Sequence, residues 1–260
     1  MRIAVVSDIH GNRLALEAVL ADLRSLTPDL VANLGDHLSG PLEAAATAEL
    51  LLAQPGWVHI LGNHDRQLVE REPGALGLSD RAAEKQLNDV HKSWLRSLPR
   101  TAVVAKEVLL CHGAPRDDCA YLLEEVSPSG VGLASREKIR SRAGLAMGAI
   151  LCGHSHVPRC VRLSDGTLVL NPGSVGLQAY FDSEHAVPHV IETGSPHARY
   201  ALLDRNSRGW RATFRVVEYA WDRAAQLAAQ GNRPDWAHAL ATGYALRGTL
   251  DCPVALNADR

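Results

Sequence analysis

The chain has no C-x-x-C pair, and its five cysteines (Cys111, Cys119, Cys152, Cys160 and Cys252) are scattered and odd in number. Neither a disulfide framework nor a zinc ribbon fits that pattern. Cys111 and Cys152 lie inside apolar runs and read as small buried hydrophobes. No charge of one sign dominates: 27 basic against 29 acidic residues leave a net charge of -2, which argues against a dedicated nucleic-acid binder. No apolar run is long enough to span a bilayer, and the N-terminal "MRIAVVSDIH" turns polar too soon for a signal peptide. Internal repeats, low-complexity tracts and linkers are also missing. The 260 residues are therefore expected to form a single soluble domain in the cytoplasm. With hydrophobic residues at 46%, a substantial core is available to it.

What is present alternates. "RIAVVSD", "DLVANLGD" and "WVHILGNHD" are short apolar, strand-like runs. After the first, Leu16, Val19, Leu20, Leu23 and Leu26 fall on one helical face. Helices are also expected from about residue 42 to 53 and, more polar, from about 80 to 98. Then the pattern turns to hairpins: "TAVVAKEVLLCHG" turns at Lys106, "CVRLSDGTLVLNPGS" at Asp165-Gly166, and "RYALLDRNSRGWRATFRVVEY" between Asn206 and Gly209. Two helical segments follow, "DRAAQLAAQ" and the region around "DWAHALATGYALRG". Residues 178–198 are the least periodic and are expected to loop over the surface as a small rim or cap. Strand–helix units followed by hairpins indicate an α/β fold with mixed sheets and helices on the outer faces.

Strand after strand ends in metal-binding residue types. The first run ends in Asp8 and His10, the second in Asp36, the third in Asn63 and His64. "VLLC" ends in His112, and "AILC" in His154 and His156. Each has an ordinary explanation: a polar turn, a helix cap, a histidine at a strand end, a glycine turn at Gly35 or Gly62. Five such coincidences at the same strand end are harder to explain, because parallel strands present their carboxyl ends on one edge. Oxygen donors mixed with imidazoles suit Mn, Fe, Zn or Co better than Ca or a thiolate zinc. One carboxylate can bridge two cations about 3.5–4 Å apart, as two-metal hydrolases require.

The ordered set Asp8-Ile9-His10, Gly35-Asp36, Gly62-Asn63-His64-Asp65, His112 and Gly153-His154-Ser155-His156 resembles the calcineurin-like metallophosphoesterase superfamily. "SDIHGN" and "NPGSVG" are similar to the small bacterial and archaeal phosphoesterases related to diadenosine tetraphosphatases. The resemblance implies a four-layer αββα sandwich of two mixed β-sheets with a binuclear site at one edge. It implies one metal held by Asp8, His10, Asp36 and His156, and a second held by Asp36, Asn63, His112 and His154. Manganese is the first expectation, with Fe, Zn or Co as alternatives. His64 matches the residue that contacts phosphate and protonates the leaving oxygen after attack by a hydroxide bridging the metals.

Other residues near the motifs are weaker candidates. Asn12, His37 and Arg66 are candidate substrate contacts, with packing beside the site as the alternative for His37 and a solvated helix start for Arg66. Asn171 and Ser174 are expected near the metal edge, and His185, His189 and His197 are expected on the surface. The leading functional reading is a metal-dependent phosphoesterase acting on small phosphodiesters or phosphomonoesters, nucleotides among them. A dinucleoside polyphosphate hydrolase is the alternative. A non-catalytic protein-binding scaffold of the same fold ranks third, because such scaffolds typically lose a ligand or the histidine matching His64, and none is lost here. The stretch "HLSGPLEA" after Asp36 lacks the arginine-bearing motif of Ser/Thr protein phosphatases. The expected partner is a small phosphate ester, with neither a membrane nor extended nucleic acid.

Overall fold

Val108, Leu109, Leu110 and Cys111 are all buried, and alternate side chains enter different cores. A strand covered on both faces needs an unbroken apolar run, and that is what this one has. The computed structural model describes residues 1–183 and 185–246. The chain runs β1 (Arg2–Val6), α1 (Arg13–Leu26), β2 (Leu30–Asn33), α2 (Ala44–Leu52) and β3 (Trp57–His59). Three helices follow: α3 (Asn63–Glu70), α4 (Leu78–Glu84) and α5 (Asp89–Ser97). β4 (Thr101–Val104) and β5 (Val108–Cys111) form one hairpin, β6 (Glu124–Ser127) and β7 (Gly130–Leu133) another, before α6 (Arg136–Ala143). β8 (Ala149–Leu151), β9 (Arg159–Arg162) and β10 (Leu168–Asn171) precede a small hairpin, β11 (Ala179–Asp182) with β12 (His189–Glu192). A long hairpin, β13 (Ala198–Asn206) with β14 (Gly209–Val217), leads to α7 (Trp221–Gln230) and α8 (Pro234–Thr242).

Two mixed sheets result, ordered β14-β13-β1-β2-β3 and β4-β5-β8-β10-β9. Ile3, Val5, Ala32 and Leu34 of the first face Val108, Leu110, Leu151 and Leu170 of the second in a shared apolar core. The other face of the first sheet, through Ala4 and Val6, packs on Leu16, Val19 and Leu23 of α1 and Leu51 of α2. Leu109, Cys111 and Ile150 on the far face of the second sheet pack on Ile139 and Ala143 of α6. The four layers are therefore helix, sheet, sheet, helix. The pairs β1–β2, β2–β3, β5–β8 and β8–β10 are all parallel, so these strands end on one edge. Among the described residues no helix is long and apolar enough to cross a membrane.

Three expectations need correction. The helix expected over 80–98 is two helices, because Asn88 accepts a hydrogen bond from the His91 amide at 3.0 Å and starts α5 afresh. Residues 178–198 are not simply a loop: they contain the β11–β12 hairpin, whose strands of four residues are too short for alternation to announce. His189 lies inside that hairpin and is buried, with its Nε2 3.0 Å from the Tyr121 hydroxyl, whereas His185 is exposed as expected. Residues 247 onward of the last expected helical segment, and Cys252, lie outside the described residues; α8 itself stops where Gly243 turns left-handed.

Asp22 ties layers together. On α1, it accepts hydrogen bonds from the Tyr200 hydroxyl of β13 and, at 2.9 Å, from the Arg215 guanidinium of β14. Partial burial raises its pKa, but these donors outweigh it and hold the carboxylate below its ordinary value. A depressed carboxylate adds stability above its unfolded pKa and loses that contribution as pH falls through the folded one. Asp22→Asn is therefore expected to lower the Tm at pH 7 and to approach the wild type as the pH falls through the folded pKa, as thermal unfolding across pH would show. A difference independent of pH would remove the carboxylate from this role.

Candidate metal centre

The turns at the sheet edge are stitched together by their backbones. The Asp8 amide donates to Gly35 O at 3.0 Å, His10 to Asp36 O at 2.9 Å, and Gly153 to His112 O. Gly35 and Gly62 pack backbone against backbone: a Cβ on Gly35 would lie 2.5 Å from the Gly62 nitrogen, and one on Gly62 would lie 2.2 Å from Asp36 Oδ1. Asp8 (φ 55°), His10 (53°), Asp36 (54°), His154 (68°) and His156 (59°) all adopt left-handed backbone. Such conformations cost about 1–3 kcal/mol each and persist only where surroundings enforce them. Asp8 and His10 flank the buried Ile9 as His154 and His156 flank the buried Ser155, so both triplets bring two polar side chains together while anchoring the residue between.

Two groups converge: Asp8, His10 and His156, and beside them Asp36, His112 and His154, with the ligand atoms of each group within 4.8 Å of one another. Asp36 links them, its Oδ2 lying 3.8 Å from His10 Nε2 and 3.3 Å from His112 Nε2. Asn63 Oδ1 lies 2.9 Å from His112 Nε2.

Backbone carbonyls settle the tautomers, because a carbonyl only accepts. His10 Nδ1 faces Ser39 O at 2.9 Å, His112 Nδ1 faces Leu34 O at 2.8 Å, and His156 Nδ1 faces Leu177 O at 2.7 Å. His154 is reversed, with Nε2 facing Cys119 O at 2.9 Å. Each ring thus spends its N–H on a carbonyl and turns its other nitrogen inward. His10 Nε2 and His156 Nε2 then stand 3.1 Å apart, both turned inward. Asp8 Oδ1, fully buried, has no hydrogen-bond donor.

The electrostatics point the same way. Burial raises Asp8, but His156 and His112 overcome it and hold the carboxyl at about 2. Burial pushes His10 down to about 4, and burial together with the neighbouring His112 does the same to His154. Burial lowers His112 too, yet Asp36 and Asp8 hold it up at about 10. The two carboxylates demand positive charge here, and His10 and His154, held neutral, offer lone pairs to it. Borderline divalent cations meet both demands, and the donor set fits them.

The expected ligands Asp8, His10, Asp36, Asn63, His112, His154 and His156 thus all converge on one edge. His64 stands beside them on the wall of a cleft of about 1770 Å³, its amide donating to Asp36 Oδ1 at 3.0 Å and its Nδ1 lying 2.8 Å from Asp80 Oδ1. Burial works against its protonation, but Asp36 and Asp80 hold it at about 9.

The candidate substrate contacts fare differently. Asn12 is buried, caps α1 by accepting from the Ala15 amide, and donates to Gly176 O. His37 is fully buried, with Nδ1 2.6 Å from Asp65 Oδ2. Arg66 is committed to both oxygens of Asp118 at 2.6 and 2.8 Å, bracing α3 against the loop that carries Cys119. All three are engaged in bracing the site in this structure, and none of them lines the cleft. Asn171 and Ser174 also support the edge: Asn171 donates to Gly153 O, and Ser174 Oγ to Asp8 O. Asp80 and Ser39 belong to the site without any motif to mark them, since a carboxylate in a polar helix looks solvated in the sequence.

Four layers with such a cluster at the shared strand edge define the metallophosphoesterase fold. The calcineurin-like phosphoesterase superfamily domain matches residues 1–194, and the chain belongs to that superfamily. A metallophosphoesterase from Sphaerobacter thermophilus is similar, with 25% identity, a TM-score of 0.72 and coverage of 94% of this chain and 99% of that one. A hypothetical protein from Pyrococcus horikoshii OT3 shares the fold at 19% identity and TM-score 0.70, covering 93% and 98% of the two chains. An uncharacterized protein of Methanocaldococcus jannaschii is 25% identical over 252 residues, 90% of this chain and 94% of its own.

Metal binding has a readout independent of turnover. A cation at a hundred times its Kd stabilises the folded state by about 2.7 kcal/mol, or roughly 5–10 °C in Tm for a chain of this size. Mn²⁺ added to metal-stripped protein is expected to give that rise, and Asp36→Asn to abolish it. An unshifted wild type, with no metal found by elemental analysis, would remove the centre.

Proposed function

We propose that this protein is a binuclear-metal phosphoesterase hydrolysing small phosphodiesters or phosphomonoesters. The observation that carries the reading is Asp36, whose Oδ2 lies between the two ligand groups, with His64 directly beside it on the cleft. Its proposed ligands are Asp8, His10, Asp36 and His156 for one cation, and Asp36, Asn63, His112 and His154 for the other. Two bound divalent cations would supply Lewis acidity at phosphorus and a nucleophilic water at neutral pH. Manganese is the first choice, with Fe, Zn or Co as alternatives of the same ligand preference.

The protein's own contribution is placement. The carbonyls behind His10, His112, His154 and His156 fix each ring before any cation arrives, so little reorganisation remains for binding. His64 keeps Nδ1 on Asp80 and holds a proton at Nε2 for the leaving oxygen. The cleft is wider than a small-molecule pocket needs, which supports tolerance of several esters. The same width also leaves room for a dinucleoside polyphosphate, the second reading.

The test is hydrolysis of bis(4-nitrophenyl) phosphate and 4-nitrophenyl phosphate by metal-stripped protein with and without Mn²⁺. Mn²⁺-dependent release of nitrophenol is expected, and the ratio of the two rates separates diesterase from monoesterase. His64→Ala is expected to keep its metal and to lose about 100-fold or more on esters with poor leaving groups. Silence on both esters with two metals bound would shift the reading to phosphoanhydrides.

A further inference from the structure

Asp80 is 1% exposed, and it lies outside every ligand group. A carboxylate buried to that degree is strongly unfavourable unless donors reach it. Two do, on the same oxygen: Ser39 Oγ at 2.6 Å and His64 Nδ1 at 2.8 Å. Asp80 sits in the first turn of α4, where a carboxylate could instead serve the helix end. Its oxygen is turned to side chains of other segments.

The segment that carries Asp80 is anchored by three hydrogen bonds. The Gly40 amide donates to Ser79 O at 3.2 Å, Arg233 of the α7–α8 connection donates to Ser79 Oγ at 3.0 Å, and Gln86 donates to Leu42 O at 2.9 Å. Ser39 is shared between two tasks. Its carbonyl accepts from His10 Nδ1, and its hydroxyl donates to Asp80. One residue thereby sets the register between a ligand imidazole and the imidazole on the cleft wall, whose ring centroids lie 5.7 Å apart.

We propose that Asp80 is the positioning residue for His64: with Ser39 fixing its carboxylate, it holds the Nδ1–H of His64 so that Nε2 alone faces the bound ester. The inference rests on the proton-donor reading of His64. The leaving oxygen takes the Nε2 proton as its bond to phosphorus breaks, and the imidazole keeps its Nδ1–H toward Asp80. Without Asp80 the ring is free to rotate about χ1 and χ2, and its proton no longer meets the leaving oxygen. The metal ligands stay where their own carbonyls hold them.

The leaving group reports this separately from the fold. A good leaving group such as 4-nitrophenol departs with little help, whereas phenol needs the proton. In the Mn²⁺-loaded full chain, Asp80→Ala is expected to lose about 100-fold in kcat/KM on diphenyl phosphate and less than about 3-fold on bis(4-nitrophenyl) phosphate. Its metal content should match the wild type. Asp80→Leu fills the space without an acceptor and carries the same expectation should the alanine variant fail to fold. In a His64→Ala background, Asp80→Ala is expected to change neither rate further. Equal losses on both esters, or a further loss in that background, would overturn the proposal. If His64→Ala loses both esters equally, the proton-donor reading fails and takes the proposal with it. If His64→Ala discriminates between the esters and Asp80→Ala does not, the proposal alone falls.

Discussion

The structure depends on a buried cluster of carboxylates and imidazoles that needs positive charge. Asp8 and Asp36 are buried beside four imidazoles, each of which has spent a proton on a backbone carbonyl. The inward nitrogens of His10 and His156 face each other at 3.1 Å, and Asp8 Oδ1 has no donor. In an apolar interior such an arrangement is unfavourable until a cation enters it. The left-handed turns, the glycine contacts and the carbonyl anchors all impose that arrangement in advance, so strain and desolvation are concentrated where binding can offset them.

The fold supplies the rigidity this requires. Parallel neighbours in both sheets deliver their ends to one edge, and the two sheets face each other across a dry apolar layer. A second ring of polar residues then locks the turns. Asp65 accepts from the Gly62 amide and the His37 ring, Ser174 holds the Asp8 carbonyl, and Asn171 holds Gly153 and Ser155. These residues lie too deep to meet a substrate. Their effect on chemistry runs through the positions of the residues in front of them.

The cleft side is built differently. Tyr121, Tyr180 and His189 form a hydrogen-bonded group that ties the β11–β12 hairpin to the site, and Tyr180 reaches His154 O at 3.3 Å. The β6–β7 hairpin tip, Ser127 to Gly130, lines the same cleft. Both hairpins are short two-stranded sheets standing apart from the two main sheets. Such elements tolerate change more readily than the edge beneath them, so this wall can vary without disturbing the clustered Asp and His residues.

Much of this was legible in the residues. Apolar runs that end in Asp, Asn or His mark both strands and the residues that cluster at their ends, and the turns at Lys106, Asp165-Gly166 and Asn206–Gly209 mark hairpins, because these signals are local. The break at Asn88 and the β11–β12 strands were not, since a cap needs its partner amide and four residues cannot establish a period. Asn12, His37 and Arg66 looked available beside the motifs, and only the structure shows that Gly176, Asp65 and Asp118 engage them. By itself the sequence determined which atoms could bind a metal and at which strand ends they stand. Tertiary structure alone decided which ring nitrogen faces inward, which carboxylate links the two groups, and that Asp80 meets His64. Those outcomes depend on carbonyls and side chains brought together from distant parts of the chain, and no local pattern encodes such a meeting.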